Sequence, residues 1–300
     1  MGFNANLLFD LQQMFQYQFM QHAFEAGTLV AIVAGIVGYF VVLRRSSFAA
    51  HALSHIGFAG AAGAVLFGVS PVLGLLLFTS VGGMGMTVLG PRASHRDVQI
   101  GTVLAFMLGL GVLFISLYTG YATEAYSILF GEILGISSID VLVTAIAALV
   151  ILCAVAFVYR PLLFASLDED VAEAKGLHMH KLGIVFMLLV ALATSIAVQV
   201  VGVLLIFSLM VTPAAIAQRL AQQPWRAVVL SVVVSLAATW LGLFIAFYEP
   251  YPVSFFITTI VFILYLIVRF LHPRIKPLDA GKVDLQTGQS GQTIPSGVVT

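Results

Sequence analysis

Two histidines four residues apart are the side chains of this chain best suited to chemistry in an apolar setting. They are His51 and His55, within the stretch SFAAHALSHIGFAGAAG from Ser47 to Gly63. On an α-helix this spacing places both imidazoles on one face, one turn apart. Neutral imidazole is a common ligand of zinc and other transition metals. The pair can therefore supply two corners of a metal site.

The surroundings of this pair leave two interpretations open. Ionisable residues in a membrane segment are costly and are functional candidates by default, but two buried histidines can also simply hydrogen-bond to carbonyl groups or water. Four-coordinate zinc needs two more ligands, which a symmetric dimer would supply as His51 and His55 of its second copy. Small residues between Gly57 and Gly68 let membrane helices approach closely, so we expect this face at the dimer interface.

The composition predicts the fold class. Of 300 residues, 61% are hydrophobic and only 9% are charged, whereas soluble domains carry about 25% charged residues. The chain is therefore predicted to be an all-α, polytopic transmembrane helical bundle. A net charge of zero gives no basic footprint for nucleic acid. The single cysteine, Cys153, excludes an intrachain disulfide and a thiolate cluster.

Two enzymatic motifs are absent from the sequence. Ala52 follows His51, so the carboxylate of the metalloprotease motif H-E-x-x-H is missing. No G-x-x-x-x-G-K-[ST] loop occurs, so ATP hydrolysis by that route would need a separate subunit.

The apolar segments predict about nine membrane helices, since a crossing takes about 20 residues. They are 26–43, 48–69, 71–90, 99–118, 139–159, 183–200, 201–217, 227–247 and 254–271. The turn between the sixth and seventh is placed at 200–202. With the N-terminus outside and the C-terminus inside, all 13 Lys and Arg residues fall at inside loops, as the positive-inside rule requires.

The predicted transmembrane domain covers 1–272 and contains a long inside loop. The charged part of this loop, 165–182, includes a potential short helix from Asp168 to Ala174 that Gly176 would end. It is either a solvated loop or a docking site for a soluble partner. Residues 273–300 are rich in Gly, Ser, Gln and Thr, which predicts a disordered tail.

Five stretches in order resemble one family over roughly 15–269. They are FVVLRRSSFAAHALSHIGFAGAAGA, RDVQIGTVLAFMLGLGVLFIS, SILFGEILG, SLDEDVAEAKGL and GVLLIFSLMVTPAAIAQRLA. Together they resemble the membrane permease of bacterial zinc and manganese ABC importers. The resemblance implies a type II ABC importer fold in the cell membrane and a transport subunit without enzymatic activity or a covalently bound cofactor.

The resemblance also implies partners. These are a second copy of the chain, two cytoplasmic ATPase subunits and an external metal-binding protein. The ATPases would be coupled through Leu167, Asp168, Glu169, Asp170, Ala172 and Gly176.

The family's metal gate uses an Asp and a His four residues apart, at the positions of His51 and His55, so this chain departs at His51. Carboxylates suit manganese and imidazoles suit zinc. The sequence therefore favours zinc as the transported ion, with manganese or iron as alternatives.

Three other functions remain open at this stage. An ion-gradient metal carrier would work without an ATPase, but would leave the charged loop unexplained. A membrane anchor that transports nothing would leave the two histidines unexplained. The same importer fold could also move a metal chelate instead of a bare ion.

Overall fold

The computed structural model describes residues 14–89, 96–118, 131, 133–249 and 251–271. Its helices are α1 (Gln18–Leu43), α2 (Ser47–Leu66), α3 (Pro71–Leu89), α4 (Arg96–Leu117), α5 (Ser138–Leu167), α6 (Glu169–Ala174), α7 (Met179–Leu220), α8 (Pro224–Tyr248) and α9 (Val253–Leu271). Seven of these are long and apolar enough to cross a membrane, and α3 is a shorter apolar helix. The predicted all-α membrane bundle is confirmed. The predicted disordered tail, 273–300, lies outside the described residues.

Local sequence signals fix several helix ends. α3 and α8 begin with Pro71 and Pro224, because proline suits the first helical turn, where its missing N–H has no partner to lose. Ser137 and Asp140 form a reciprocal capping box at the start of α5. α2 ends at Leu66, and Gly68, two residues further on, adopts a left-handed φ of 68°, a conformation that glycine adopts without steric penalty.

Two helices are longer than the sequence predicted. α1 begins at Gln18, eight residues before the predicted start, and buries Met20 and Ala23 in its first turns. α5 continues past its predicted end at residue 159, through Pro161, to Leu167. A proline removes one backbone hydrogen bond, and the turns of α5 on either side of it hold the helix together. The first residues of the predicted 165–182 segment thus belong to α5.

Helix α7 is broken at Gly202, whose backbone angles (φ 83°, ψ 164°) are not helical. Both ends of α7 lie at the same end of α1. Near its start, the ring of Phe186 lies under the Arg44 guanidinium, 5.2 Å from the ring centroid. Near its end, Gln218 Nε2 donates a hydrogen bond to the Tyr39 carbonyl, at 3.1 Å.

The middle of α7 lies at the opposite end of the bundle. Gln199 Nε2 donates to Asp140 Oδ1 at the start of α5, at 3.2 Å. A Cβ on Gly131 would overlap the backbone of Val201. Helix α7 is therefore a hairpin of two arms, 179–201 and 203–220, and Gly202 lies within the predicted turn.

Basic residues gather at one end of the bundle. This basic end carries Arg44, Arg45, Lys175, Arg219 and Arg226, which stand beside the ends of α1, α6 and α7 or the start of α8. The α7 hairpin forms the centre of the bundle, with about half of the residues of each arm buried.

The small residues of α2 pack inside the chain. A Cβ on Gly57 would lie 3.0 Å from Thr79 of α3, and one on Gly60 would overlap the Gly74 carbonyl of the same helix. Gly63 lies against the Phe114 ring of α4, where a Cβ would approach to 2.9 Å. The expectation that Gly57, Gly60 and Gly63 form a dimer interface is wrong, because α3 and α4 of the same chain already cover them.

Candidate metal centre

The His51 and His55 rings lie side by side on α2. Their centroids are 4.6 Å apart and the rings are nearly perpendicular, at 85°. The Ser54 hydroxyl donates to the His51 carbonyl at 2.7 Å, which ties the helix turn between them. The predicted pairing on one helix face is confirmed.

This face is the open side of an otherwise buried helix. Ala49, Ala52, Leu53 and Ile56 are at most 2% exposed, whereas both histidines are half-buried. The imidazoles therefore point outward from the bundle, toward whatever covers α2 on that side.

Both histidines carry a buried nitrogen without a partner. The Nδ1 atoms of His51 and His55 are enclosed and make no hydrogen bond to any described residue. A buried polar atom left unpaired is destabilising by about 1–3 kcal/mol. One alternative was that both histidines hydrogen-bond to carbonyl groups. The structure does not support it at Nδ1. With Nδ1 enclosed, Nε2 is the ring nitrogen available to a ligand on the open side.

Phe207 of the second α7 arm fixes the position of His51. The two rings meet at 63° with centroids 4.8 Å apart. Such edge-to-face pairs add about 0.5–1.5 kcal/mol beyond apolar burial. Phe207 was not predicted from the sequence, because a phenylalanine in an apolar run does not indicate which residue of another helix it contacts.

One copy of the chain supplies two metal-capable side chains here. Within the described ranges, no group of three or more His, Cys, Asp or Glu residues comes together. Because zinc takes four ligands, the pair is half of a zinc site at most, and the remainder must come from another molecule or from water.

Comparison with known proteins identifies the family. The sequence profile of the ABC 3 transport family matches residues 16–272. The chain belongs to this family. The predicted resemblance to permeases of metal-ion ABC transporters is confirmed, and the permease is a multi-pass plasma-membrane transport subunit rather than an enzyme.

Two relatives are transport membrane proteins named for different metals. The manganese transport system membrane protein MntC of Listeria monocytogenes is 32% identical over 238 residues, which cover 79% of this permease and 85% of that protein. The high-affinity zinc uptake system membrane protein ZnuB of Haemophilus influenzae is 26% identical over 235 residues, covering 78% and 90%.

A solved structure shares the fold. PsaBC from Streptococcus pneumoniae, in complex with Fab, contains a chain that superposes with a TM-score of 0.80 at 29% identity. The match covers 89% of this permease and 97% of that chain.

The predicted coupling residues of the permease surround α6 at the basic end. Leu167, Asp168, Glu169 and Asp170 are exposed, and Asp168 Oδ1 accepts a hydrogen bond from the Val171 amide at 3.0 Å. This bond caps the helix at its start.

The other two predicted coupling residues have structural roles. Ala172 is fully buried, so it anchors α6 to the rest of the bundle. Gly176 ends it with a left-handed φ of 86°, as predicted. The structure thus presents a short acidic helix with two exposed apolar side chains, Leu167 and Val171.

Proposed function

We propose that this permease moves divalent transition-metal ions in an ATP-driven importer, past a gate formed by His51 and His55. One observation carries the proposal. Two adjacent imidazoles share one face of a membrane helix, where Nδ1 of each is enclosed and Nε2 is available to a ligand on the open side. Relatives of the permease include manganese and zinc transport proteins.

The gate is completed by a second copy of the permease. Two ligands per chain make four when two chains face each other across a two-fold axis, which matches the ligand number of zinc. The exposed face of the second α7 arm, which starts with Leu204 and borders Phe207, would form part of the contact beside His51.

Ligand chemistry favours zinc as the cargo. Four imidazoles form an all-nitrogen site, which suits zinc or iron better than manganese, whose preferred ligands are carboxylates, carbonyls and water. The site also lacks the two negative charges that an Asp at position 51 would bring to a dimer. It should therefore hold a cation less strongly and release it more readily.

Charge and helix order give the proposed orientation. The basic end faces the cytoplasm by the positive-inside rule. Counting α3 and both arms of α7, the chain crosses nine times in a type II importer arrangement, with its N-terminus outside. Two ATPase subunits would bind at α6, one on each copy, and a metal-binding protein would dock at the opposite end.

Uptake by the reconstituted complex tests the gate. The complex of permease, ATPase and binding protein is placed in vesicles, and ATP-dependent uptake of zinc, manganese and iron is compared. We expect zinc uptake in the parent and gained manganese uptake in His51→Asp. Phe262→Ala, an exposed ring on α9 outside the proposed gate and coupling segment, is the control. Unchanged uptake of every metal in both His51→Ala and His55→Ala would show that the pair is not the gate.

Cysteine cross-linking tests the dimer separately. In a Cys153→Ser background, Leu204→Cys should form a disulfide between two copies. Leu149→Cys of α5 is similarly exposed, at 63% against 52% for Leu204, and lies on another face, so it should stay monomeric. Equal cross-linking of both variants, or none at Leu204→Cys, would contradict the proposed interface.

Pull-down of the ATPase tests the coupling helix. Asp168 caps α6, so its replacement would also disturb the helix. Val171→Asp instead changes one exposed side chain. It should abolish ATPase capture, whereas Leu220→Asp, with 41% exposure against 42% for Val171 at the same end, should not. Metal uptake that persists without any ATPase would instead identify an ion-gradient carrier.

A further inference from the structure

A polar cavity of about 590 Å³ opens at the basic end of the permease. Its walls come from the α1–α2 turn, the ends of α3 and α5, and the start of α7. Arg44 and Arg45 contribute guanidinium groups, and Ser46 and Ser166 contribute hydroxyl groups. The proposed His51–His55 gate does not use this cavity, although two residues of its lining, Leu167 and Glu169, are also predicted coupling residues.

Arg45 holds a backbone conformation that an arginine rarely adopts. Its φ is 53°, and it is the only non-glycine residue with positive φ in the described ranges. The amides of Arg45 and Ser46 bond back to Val42 and Val41, which is the hydrogen-bond pattern of a Schellman motif, in which glycine usually holds this position.

Two other helices of the same chain end with this motif and do use glycine. Gly68 closes α2 and Gly176 closes α6, each with the same pair of backbone hydrogen bonds. Left-handed backbone in a residue with a Cβ is strained, and such outliers cluster at functional sites. The chain thus keeps a guanidinium beside the cavity at a position where glycine would fold more easily.

Arg44 is positioned by its neighbours on two other helices. Its guanidinium lies 5.2 Å from the centroid of the Phe186 ring, and Nη1 donates to the Ser166 hydroxyl at 3.5 Å. Two guanidiniums of adjacent residues therefore meet at one cavity, and His180 adds a third nitrogen donor to its lining. Guanidinium groups bind phosphate oxygens with two parallel hydrogen bonds.

We propose that this cavity binds the phosphate of an anionic phospholipid headgroup. The three-residue turn that carries both arginines joins two membrane helices, so the cavity lies at headgroup depth. Basic pockets between membrane helices on the cytoplasmic side bind such headgroups.

Glu169 also lines the cavity, and its carboxylate limits which lipid headgroups can bind there. Its carboxylate accepts hydrogen bonds and repels a second negative charge. A phosphate diester with a hydroxyl-bearing headgroup, such as phosphatidylglycerol, satisfies both the arginines and this carboxylate. The inference depends on the proposed orientation of the basic end, but not on the cargo or on the His51–His55 gate.

Lipid retention by the full-length permease in detergent tests the inference. Native mass spectrometry would compare bound phosphatidylglycerol with phosphatidylcholine. We expect selective binding of phosphatidylglycerol, and an affinity about five-fold lower in Arg45→Gly, the effect of removing one interfacial basic residue. Because glycine suits the left-handed position, the thermal midpoint of Arg45→Gly should be unchanged or raised. Arg45→Asn, which also tolerates this backbone, should lose affinity similarly.

The controls separate a lipid from other ligands. Arg226→Ala removes an arginine at the same end that stacks on Trp225 outside the cavity, and it should bind phosphatidylglycerol like the parent. Equal retention of both lipids, or unchanged affinity in Arg45→Gly, would overturn the proposal. Binding of inorganic phosphate without phosphatidylglycerol would identify a free anion. Loss of ATPase capture with unchanged lipid binding would identify a protein partner, and either result overturns the lipid assignment.

Discussion

The imidazole of His51 on α2 and the ring of Phe207 on α7 meet edge to face with their centroids 4.8 Å apart. This contact joins the candidate metal ligand to the arm of α7 that follows the break at Gly202. Any movement of that arm therefore changes the surroundings of His51 directly. The relationship gives a first test of how the proposed gate is held in position.

Phe207→Ala should weaken metal binding at the histidine pair while the fold persists. Loss of an aromatic pair worth about 0.5–1.5 kcal/mol corresponds to about a 2- to 10-fold lower zinc affinity, because the His51 ring gains freedom. Zinc titration of the purified permease would measure it. Phe262→Ala removes a similar ring, 56% exposed on α9, and should leave the affinity unchanged. An equal loss in both variants would mean that Phe207 acts only through general stability.

Gly202→Ala should destabilise the permease by about 1–3 kcal/mol. The φ of 83° and ψ of 164° at this residue lie in a region that is essentially restricted to glycine. The thermal midpoint in detergent should fall accordingly. Gly109→Ala, in α4 with no atom within 4 Å of the added Cβ, should keep or raise the midpoint, since alanine favours helix. If both variants melt alike, the break is not a fixed feature of α7.

Gly60→Ala tests whether the small-residue face is internal. The added Cβ would overlap the Gly74 carbonyl, so α2 and α3 must separate, at a cost of about 1–3 kcal/mol. We expect a lower unfolding midpoint even at protein concentrations where the chain is monomeric. Gly85→Ala, at an open position of α3, is the control. If stability were lost only when the protein is dimeric, this face would lie at the dimer interface instead.

A double-mutant cycle on Thr79 and Ser195 should show a weak coupling of about 0.6 kcal/mol. Their hydroxyls lie 2.6 Å apart between α3 and α7, fully buried. Each also reaches a carbonyl of its own helix, at 2.7 Å and 2.8 Å, so each keeps a partner when the other is removed. Unfolding of Thr79→Val, Ser195→Ala and the double variant would measure the coupling. A value above about 2 kcal/mol would contradict this argument.

The sequence predicted those parts of the fold that depend on local signals. Apolar runs such as 71–90 and 227–247 gave helix positions, and glycine at 202 marked the break, because hydropathy and backbone freedom are properties of the segment itself. The spacing of His51 and His55 likewise placed both rings on one face.

The sequence could not show which surfaces meet. Gly57 to Gly63 indicated close packing, but small residues allow a neighbour from the same chain as readily as one from another copy. For the same reason the Phe207 contact with His51 was not predicted. The extension of α5 past Pro161 was missed because the cost of a proline is smaller than the gain from continuing a packed helix.

The break at Gly202 also bears on how the permease is made. No connecting segment separates the arms 179–201 and 203–220, since one glycine makes the whole turn. Because a single residue separates them, we expect the two arms to insert into the membrane as one helical hairpin, so that the centre of the bundle forms in one step.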